Sequence, residues 1–417
     1  MKRTLSLLFI LFFMINIFAN VNHIDIDKIS NDTKYVTAFR YIKDNQEFYD
    51  HWSIEWNYLK RKQELINNLR DIHKTFSEIT NKNTEVYLLL GDISHYLYNL
   101  EDTIYYDEAV KNYNQATKMN PKDYRGYWFL GYHLALSNHL PEAFEYFLKA
   151  QEILPHDEPA DFWNDYAWLT GVTNMPSHCM FAMDKVKSIL GYEGKFESQF
   201  GQTIRDRIEP VDKNKTYKSQ DIWTATEGEK ITFMSRPLGI KLLIDSTWDL
   251  SIYDYENQHN FFIINPPPLK NKNGKVINYT VGIFMKVANE DDVLEDFLNT
   301  FITSNQTKKK TSFSKKYDNI IAYELFDKTS YEDIGGAHLY LVGIERNSPK
   351  YPGLLLESPI NFSNEDSGQI KYYVASNSID RFNGKIFYVF MLDSCEDINE
   401  QSLTIFKQLF NNQIIIE

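Results

Sequence analysis

Two cysteines in 417 residues are too few for a disulfide framework, and Cys179 and Cys395 show none of the CxxC or Cys/His spacings of a zinc site. The phosphate-cradling GxxxxGK[ST] loop, the GxSxG nucleophile elbow and the HExxH zinc helix are also missing. No catalytic residue, cofactor or metal is therefore expected. Positive charge is scarce. Lys and Arg total 44 against 57 Asp and Glu, giving a net charge of −13 and a pI near 5.3. That balance disfavours a nonspecific nucleic-acid partner, which needs a basic face. Beyond residue 19 no run of 18 apolar residues occurs, so no transmembrane span is expected there.

Aromatic residues are abundant, with 28 Tyr and 28 Phe, which argues against disorder and for real cores. At the start, Lys2 and Arg3 precede an apolar stretch from Leu5 to Phe18, interrupted only by Ser6 and Asn16. It is short for a membrane span and reads as a signal peptide over residues 1–19, with Ala19 before the cut. An uncleaved anchor is the competing reading. No cysteine lies nearby to carry a lipid. The expected destination is periplasmic or secreted.

One pattern then occurs twice. Ala109, Tyr113, Ala116 and Pro121 are matched 34 residues later by Ala143, Phe147, Ala150 and Pro155. A third copy keeps Ala182, Val186 and Ile189, with Gly194 in place of the proline. Upstream of the first two copies, Tyr87, Leu90 and Gly91 match Tyr127, Leu130 and Gly131. The gap from Gly91 to Ala109 is longer by 6 than that from Gly131 to Ala143, an insertion placed near Leu100–Tyr105. This stretch resembles the tetratricopeptide repeat (TPR) family, whose period is about 34 residues. The resemblance implies helical hairpins over residues 84–194 and a scaffold that binds a protein or peptide. Residues 20–83 read as an N-terminal helical cap: a polar tail, a helix over Tyr35–Tyr49, and a long helix from Ser53 to Thr80 of about 42 Å. Residues 195–228 read as a polar linker.

From residue 229 onward the period changes to two. Lys230–Met234 and Gly239–Ile244 read as a hairpin. Further strands are expected at Leu250–Tyr255, Phe261–Ile264, Tyr279–Val287, Ile320–Phe326, His338–Glu345, Ile370–Ser376 and Lys385–Leu392. Amphipathic helices are expected over Val293–Ile302 and Leu403–Phe410. Asn265-Pro266-Pro267-Pro268 reads as a stiff spacer, and Lys308-Lys309-Lys310 as a solvated loop. This order, with Pro237, Gly239 and Trp248 near its start, resembles the PsbP-like fold, which implies an accessory, non-catalytic role. The fold class is thus multidomain: an all-α TPR-like array followed by an α+β domain with a mostly antiparallel sheet.

If the repeat alignment holds, Glu85, Leu88, Asp92, His95 and Tyr96 line an open groove together with Arg125, Trp128, Tyr132 and Leu136, and Phe162 and Tyr166 extend it. Aromatic rings there would anchor a partner, each worth several kcal/mol at most. The competing expectation is that the N-terminal helix or the linker fills this groove. His156, Asp157, Glu158 and Asp161 are the nearest thing to a ligand cluster and read as a helix cap. The leading function is an exported, non-enzymatic interaction scaffold of a bacterial cell envelope. The alternatives are a small-ligand carrier using the C-terminal domain, or an enzyme assembled from scattered residues.

Overall fold

The computed structural model describes residues 20–417 apart from 50–58, 174, 206–222, 228–229, 236–237, 246, 255–258, 315, 332–333, 348–349, 352 and 357–383. The chain divides after Ile204 into two compact units. No helix among the described residues is long and apolar enough to cross a membrane.

The first unit is helical throughout. Helices α1 (Thr33–Asp44), α2 (Gln46–Tyr49) and α3 (Leu59–Ser77) precede three hairpins. These are α4 (Thr84–Asn99) with α5 (Tyr106–Met119), α6 (Tyr124–Leu136) with α7 (Leu140–Glu152), and α8 (Ala160–Val172) with α9 (Pro176–Leu190). Side chains set the starts: Asn83 accepts from the Val86 amide and Asp123 from the Arg125 amide. Gly191, at φ +77°, ends α9 in the left-handed conformation that lacks a steric penalty only for glycine. The Ser53 start expected for α3 lies outside the described residues.

The repeat residues are the contacts between paired helices. A Cβ on Gly91 would lie 2.4 Å from the Tyr113 ring, and one on Gly131 would lie 3.0 Å from Phe147. The bare backbone at each position is what lets α4 meet α5 and α6 meet α7. The insertion falls where expected. A 3₁₀ turn at Thr103–Tyr105 joins α4 to α5, and Arg70 of α3 holds it by donating to Asp102 at 2.9 and 2.6 Å.

The third copy is shifted from the expected alignment. The α8 and α9 helices start 36 residues after α6 and α7. Cys179, Met183 and Val186 therefore occupy the places of Ala143, Phe147 and Ala150, and all three are buried. Ile189 is 42% exposed, so it is not the packing residue its spacing suggested. The stretch read as a linker opens with helix α10 (Lys195–Arg205), whose Phe196 is buried in this unit's core.

The second unit is built of strands, from β1 (Trp223–Glu227) to β13 (Ile414–Ile416), and buried residues alternate along several of them. The main sheet has seven strands in the order β4-β5-β8-β12-β11-β10-β9. These are β4 (Asp249–Asp254), β5 (His259–Asn265), β8 (Thr280–Ala288), β9 (Thr307–Thr311), β10 (Ile321–Asp327), β11 (Ala337–Asn347) and β12 (Lys385–Cys395), and every pairing is antiparallel. Along β12, Ile386, Tyr388, Phe390 and Leu392 enter one core with helix α12 (Asn399–Asn412). Phe387 and Val389 enter the opposite core with helix α11 (Leu294–Asn299). The period of two thus puts a helix on each face. A second sheet, β1-β2-β3-β13, contains the expected hairpin β2 (Lys230–Ser235) and β3 (Ile240–Asp245). The lysine run is not a loop: Lys308–Lys310 form the exposed edge strand β9. The strand expected at Ile370–Ser376 lies outside the described residues. Both cysteines are buried thiols and are not joined in a disulfide.

Candidate functional site

The first helix of each hairpin, α4, α6 and α8, contributes the predicted groove residues. Of these, only Arg125 is not buried, its side chain retaining 15% exposure. The groove was expected to be open, but these residues are covered.

Residues 20–28 cover its upper half. They run as two short 3₁₀ turns, Asn20–His23 and Ile26–Lys28, with Val21 and Ile24 buried. Arg125 Nη1 donates to the His23 carbonyl at 2.6 Å. The Asp25 amide donates to Glu85 Oε2 at 3.0 Å, and Asn83 Nδ2 donates to the Lys28 carbonyl at 2.7 Å. The His23 ring packs edge-on against Trp128, centroids 4.8 Å apart, and its Nε2 lies 2.9 Å from Asp161 Oδ2. The other half is covered by Tyr49 of α2. Its ring stacks on Tyr96 at 5.1 Å and its carbonyl accepts from Asn99 Nδ2 at 3.2 Å. Burial pushes the Tyr49 hydroxyl well above the ordinary tyrosine range.

Arg125 organises the upper half. Its guanidinium donates to Glu85 at 3.0 and 2.7 Å and to Asp123 at 2.9 and 2.6 Å. Burial alone would lower its pKa, but the hydrogen bonds to Asp123 and Glu85 outweigh that and hold it above the ordinary arginine value. Trp128 Nε1 donates to Asp165 Oδ2 at 2.9 Å, which fixes the indole that His23 meets.

Several predicted groove residues turn inward instead, because each first helix also packs against neighbouring second helices. Asp92 Oδ1 accepts from Tyr113 of α5 at 2.7 Å. Phe162 and Tyr166 pack on Phe147 of α7, and the Tyr166 hydroxyl lies 2.8 Å from His178 Nδ1. Tyr132 sits between His95 and Trp168. Leu88 and Leu136 are core residues. His95 Nδ1 lies 2.8 Å from His133 Nδ1, deep inside. Asn99 Nδ2 is 3.1 Å from His95 Nε2, so Nε2 accepts, Nδ1 carries the proton, and His133 Nδ1 accepts it. Burial, then the neighbouring imidazole, keeps His95 well below the usual histidine value, and burial lowers His133 to about 4.

The site residues that the sequence reading missed are His23, Asp25, Asn83 and Tyr49, and Asp161, read there as part of a helix cap, instead meets His23. The apolar Val21, Ile24 and Ile26 within a polar tail were the available signal. The His156–Asp161 cluster is not a cap: Pro159 occupies that position and makes no side-chain bond. Glu158 accepts instead from Trp163 Nε1 at 2.7 Å and pairs with Lys185 at 3.0 Å. Among the described residues no group of three or more His, Cys, Asp or Glu is placed to hold a metal ion. What the face can do chemically is grip the main chain of a short turn-forming segment. It offers a donor for one carbonyl, an acceptor for the amide two residues on, and an indole with a carboxylate for the ring of the first of these residues.

No family model and no curated protein matches the chain. Among solved structures, TTC0263, a thermophilic TPR protein of Thermus thermophilus, is 16% identical. That likeness covers 41% of this chain and 89% of that one, with a TM-score of 0.31. YrrB, a TPR protein with an unusual peptide-binding site, is 15% identical, covering 43% of this chain and 85% of that one at a TM-score of 0.27. Scores this low carry no functional weight, and the fold assignment rests on the hairpins themselves.

Proposed function

We propose that this chain is an exported, non-enzymatic interaction protein of a bacterial cell envelope, whose helical hairpins bind a protein or peptide partner. The observation that carries this reading is the segment 20–28, two short 3₁₀ turns held on the α4/α6/α8 face largely through main-chain groups. A surface that grips carbonyls and amides in this way is suited to polypeptide ligands. The apolar stretch Leu5–Phe18 behind Lys2 and Arg3 supports export. The second unit, an antiparallel sheet with a helix on each face, suits the accessory role of a PsbP-like module.

Photo-crosslinking amino acids at the rim positions Tyr124 and Asp157 test the interaction in cells that make the protein. The expected result is a discrete adduct with a second polypeptide from both positions, absent from a control at the exposed Lys270. No adduct from the rim, or identical adducts from all three positions, would refute it. Export is checked by N-terminal sequencing of the chain recovered outside the cytoplasm, where a start at Asn20 is expected. A chain found only in the cytoplasm with residues 1–19 attached would contradict it.

A further inference from the structure

We infer that residues 20–28 are a resident competitor for the α4/α6/α8 face, and that the partner is a short turn-forming segment carrying a hydrogen-bond-donating or cationic ring. This deepens the interaction reading and rests on it.

The repeat side of the site is built independently of the strap. Arg125 is clamped by Glu85 and Asp123, and Trp128 is fixed by Asp165, all on the hairpins themselves. Removing the strap would leave the donor, the acceptor and the indole aimed at the same space, so the face is preorganised for a replacement. The strap is lightly held by comparison. It buries Val21 and Ile24, while Asn22, Asp27 and Lys28 remain exposed. Only Ile29–Asp32 connect it to α1.

The ligand class follows from what each anchor requires. The Arg125 guanidinium needs the carbonyl of the ring residue, as with His23, and Glu85 needs the amide two residues later, as with Asp25. The ring must fit edge-on to Trp128 and present a donor to Asp161. Apolar side chains are required two residues before the ring and one after, the places of Val21 and Ile24. The local charge is acidic, with Glu85, Asp123 and Asp161 against Arg125 alone. An acidic ring-bearing peptide would therefore be repelled, and a basic or neutral one accepted.

The test uses the full mature chain with a protease site built into the link at Ser30-Asn31. The protein is folded first and cut afterwards, so folding does not depend on a shortened chain. A fluorescent peptide of residues 20–30 is then titrated. The uncut chain should bind it weakly, because the tethered strap holds the face. After cutting, the strap should exchange and the peptide should bind with one-to-one stoichiometry. His23→Ala in the peptide, or Arg125→Lys in the chain, should weaken binding about tenfold or more, since a charge-assisted bond is lost or loses its fork geometry. Arg125→Lys keeps the positive charge against Glu85, and circular dichroism confirms that the helices remain. A cut strap that stays bound and never exchanges under excess peptide would overturn the inference, as would binding indifferent to both substitutions. Rim crosslinks to a second protein that persist alongside a non-exchanging strap would leave the interaction reading standing and remove only the competitor. Exchange without any crosslinked protein would support the strap as the ligand of this face and count against the partner reading.

Discussion

Replacing Arg125 with Ala removes five hydrogen bonds at once: two to Glu85, two to Asp123 and one to the His23 carbonyl. An exposed ion pair would contribute only about 0–1 kcal/mol. This one is different, because the Glu85, Asp123 and Arg125 side chains are 6%, 10% and 15% exposed. Truncating the cation leaves two nearly buried carboxylates without compensation, and breaking a buried pair from one side costs about 3–5 kcal/mol. Some water reaches Arg125, so about 3 kcal/mol is the expected loss in the helical unit. Urea unfolding followed by segment-resolved hydrogen exchange measures that loss separately from the sheet-containing unit. Adding Glu85→Gln to Arg125→Ala should recover part of the loss, because the stranded charge goes with it. A loss below about 1 kcal/mol, or a double variant that is simply additive, would refute the reasoning.

Three further outcomes are expected. His133 has a folded-state pKa of about 4 against 6.5 for the ordinary value, so the fold favours its neutral form. Its contribution is complete above pH 6.5 and is lost as pH falls through 6.5 toward 4, up to about 3 kcal/mol. His133→Gln should make the acid limb of a stability–pH curve shallower by up to that amount, and an unchanged limb would count against the buried pair. Gly91→Ala should lower the thermal midpoint of the helical unit by about 1–3 kcal/mol equivalent, because Tyr113, 2.4 Å from the added methyl, is pinned by its bond to Asp92. A midpoint within error of the parent would show that the ring moves freely. Replacing Lys308, Lys309 and Lys310 with Thr should increase light scattering on storage, since exposed lysines on an edge strand discourage strand-to-strand association. Equal scattering would remove that role.

The hairpins were legible because close helix packing leaves small residues at fixed steps, and Gly91, Ala109, Gly131 and Ala143 carried that signal plainly. The third hairpin was misaligned because Cys179 and Met183 stand where the earlier copies have Ala143 and Phe147. Ala182 and Val186 happen to keep the same spacing three residues on. The strands with alternating residues were legible for the same reason, whereas β9, with three lysines, offered no apolar period. The site was only half visible. Helix geometry gathers Glu85, Arg125 and Trp128 on one face, but their partners lie 40 or more residues earlier, in a tail whose polarity suggests solvent. No local pattern in α4 or α6 says that Val21, His23 and Ile24 return to cover them.

Whether the strap opens independently of the hairpins beneath it decides whether this face can serve a partner. Native-state hydrogen exchange at the Asp25 amide, which donates to Glu85, reads this directly. Protection is expected in the intact chain, lost at a free-energy cost well below that of the Leu90 and Leu130 amides in the hairpin helices. Asp25 protection that fails only with global unfolding of the helical unit would mean that the segment is permanent structure and the face is closed to any partner.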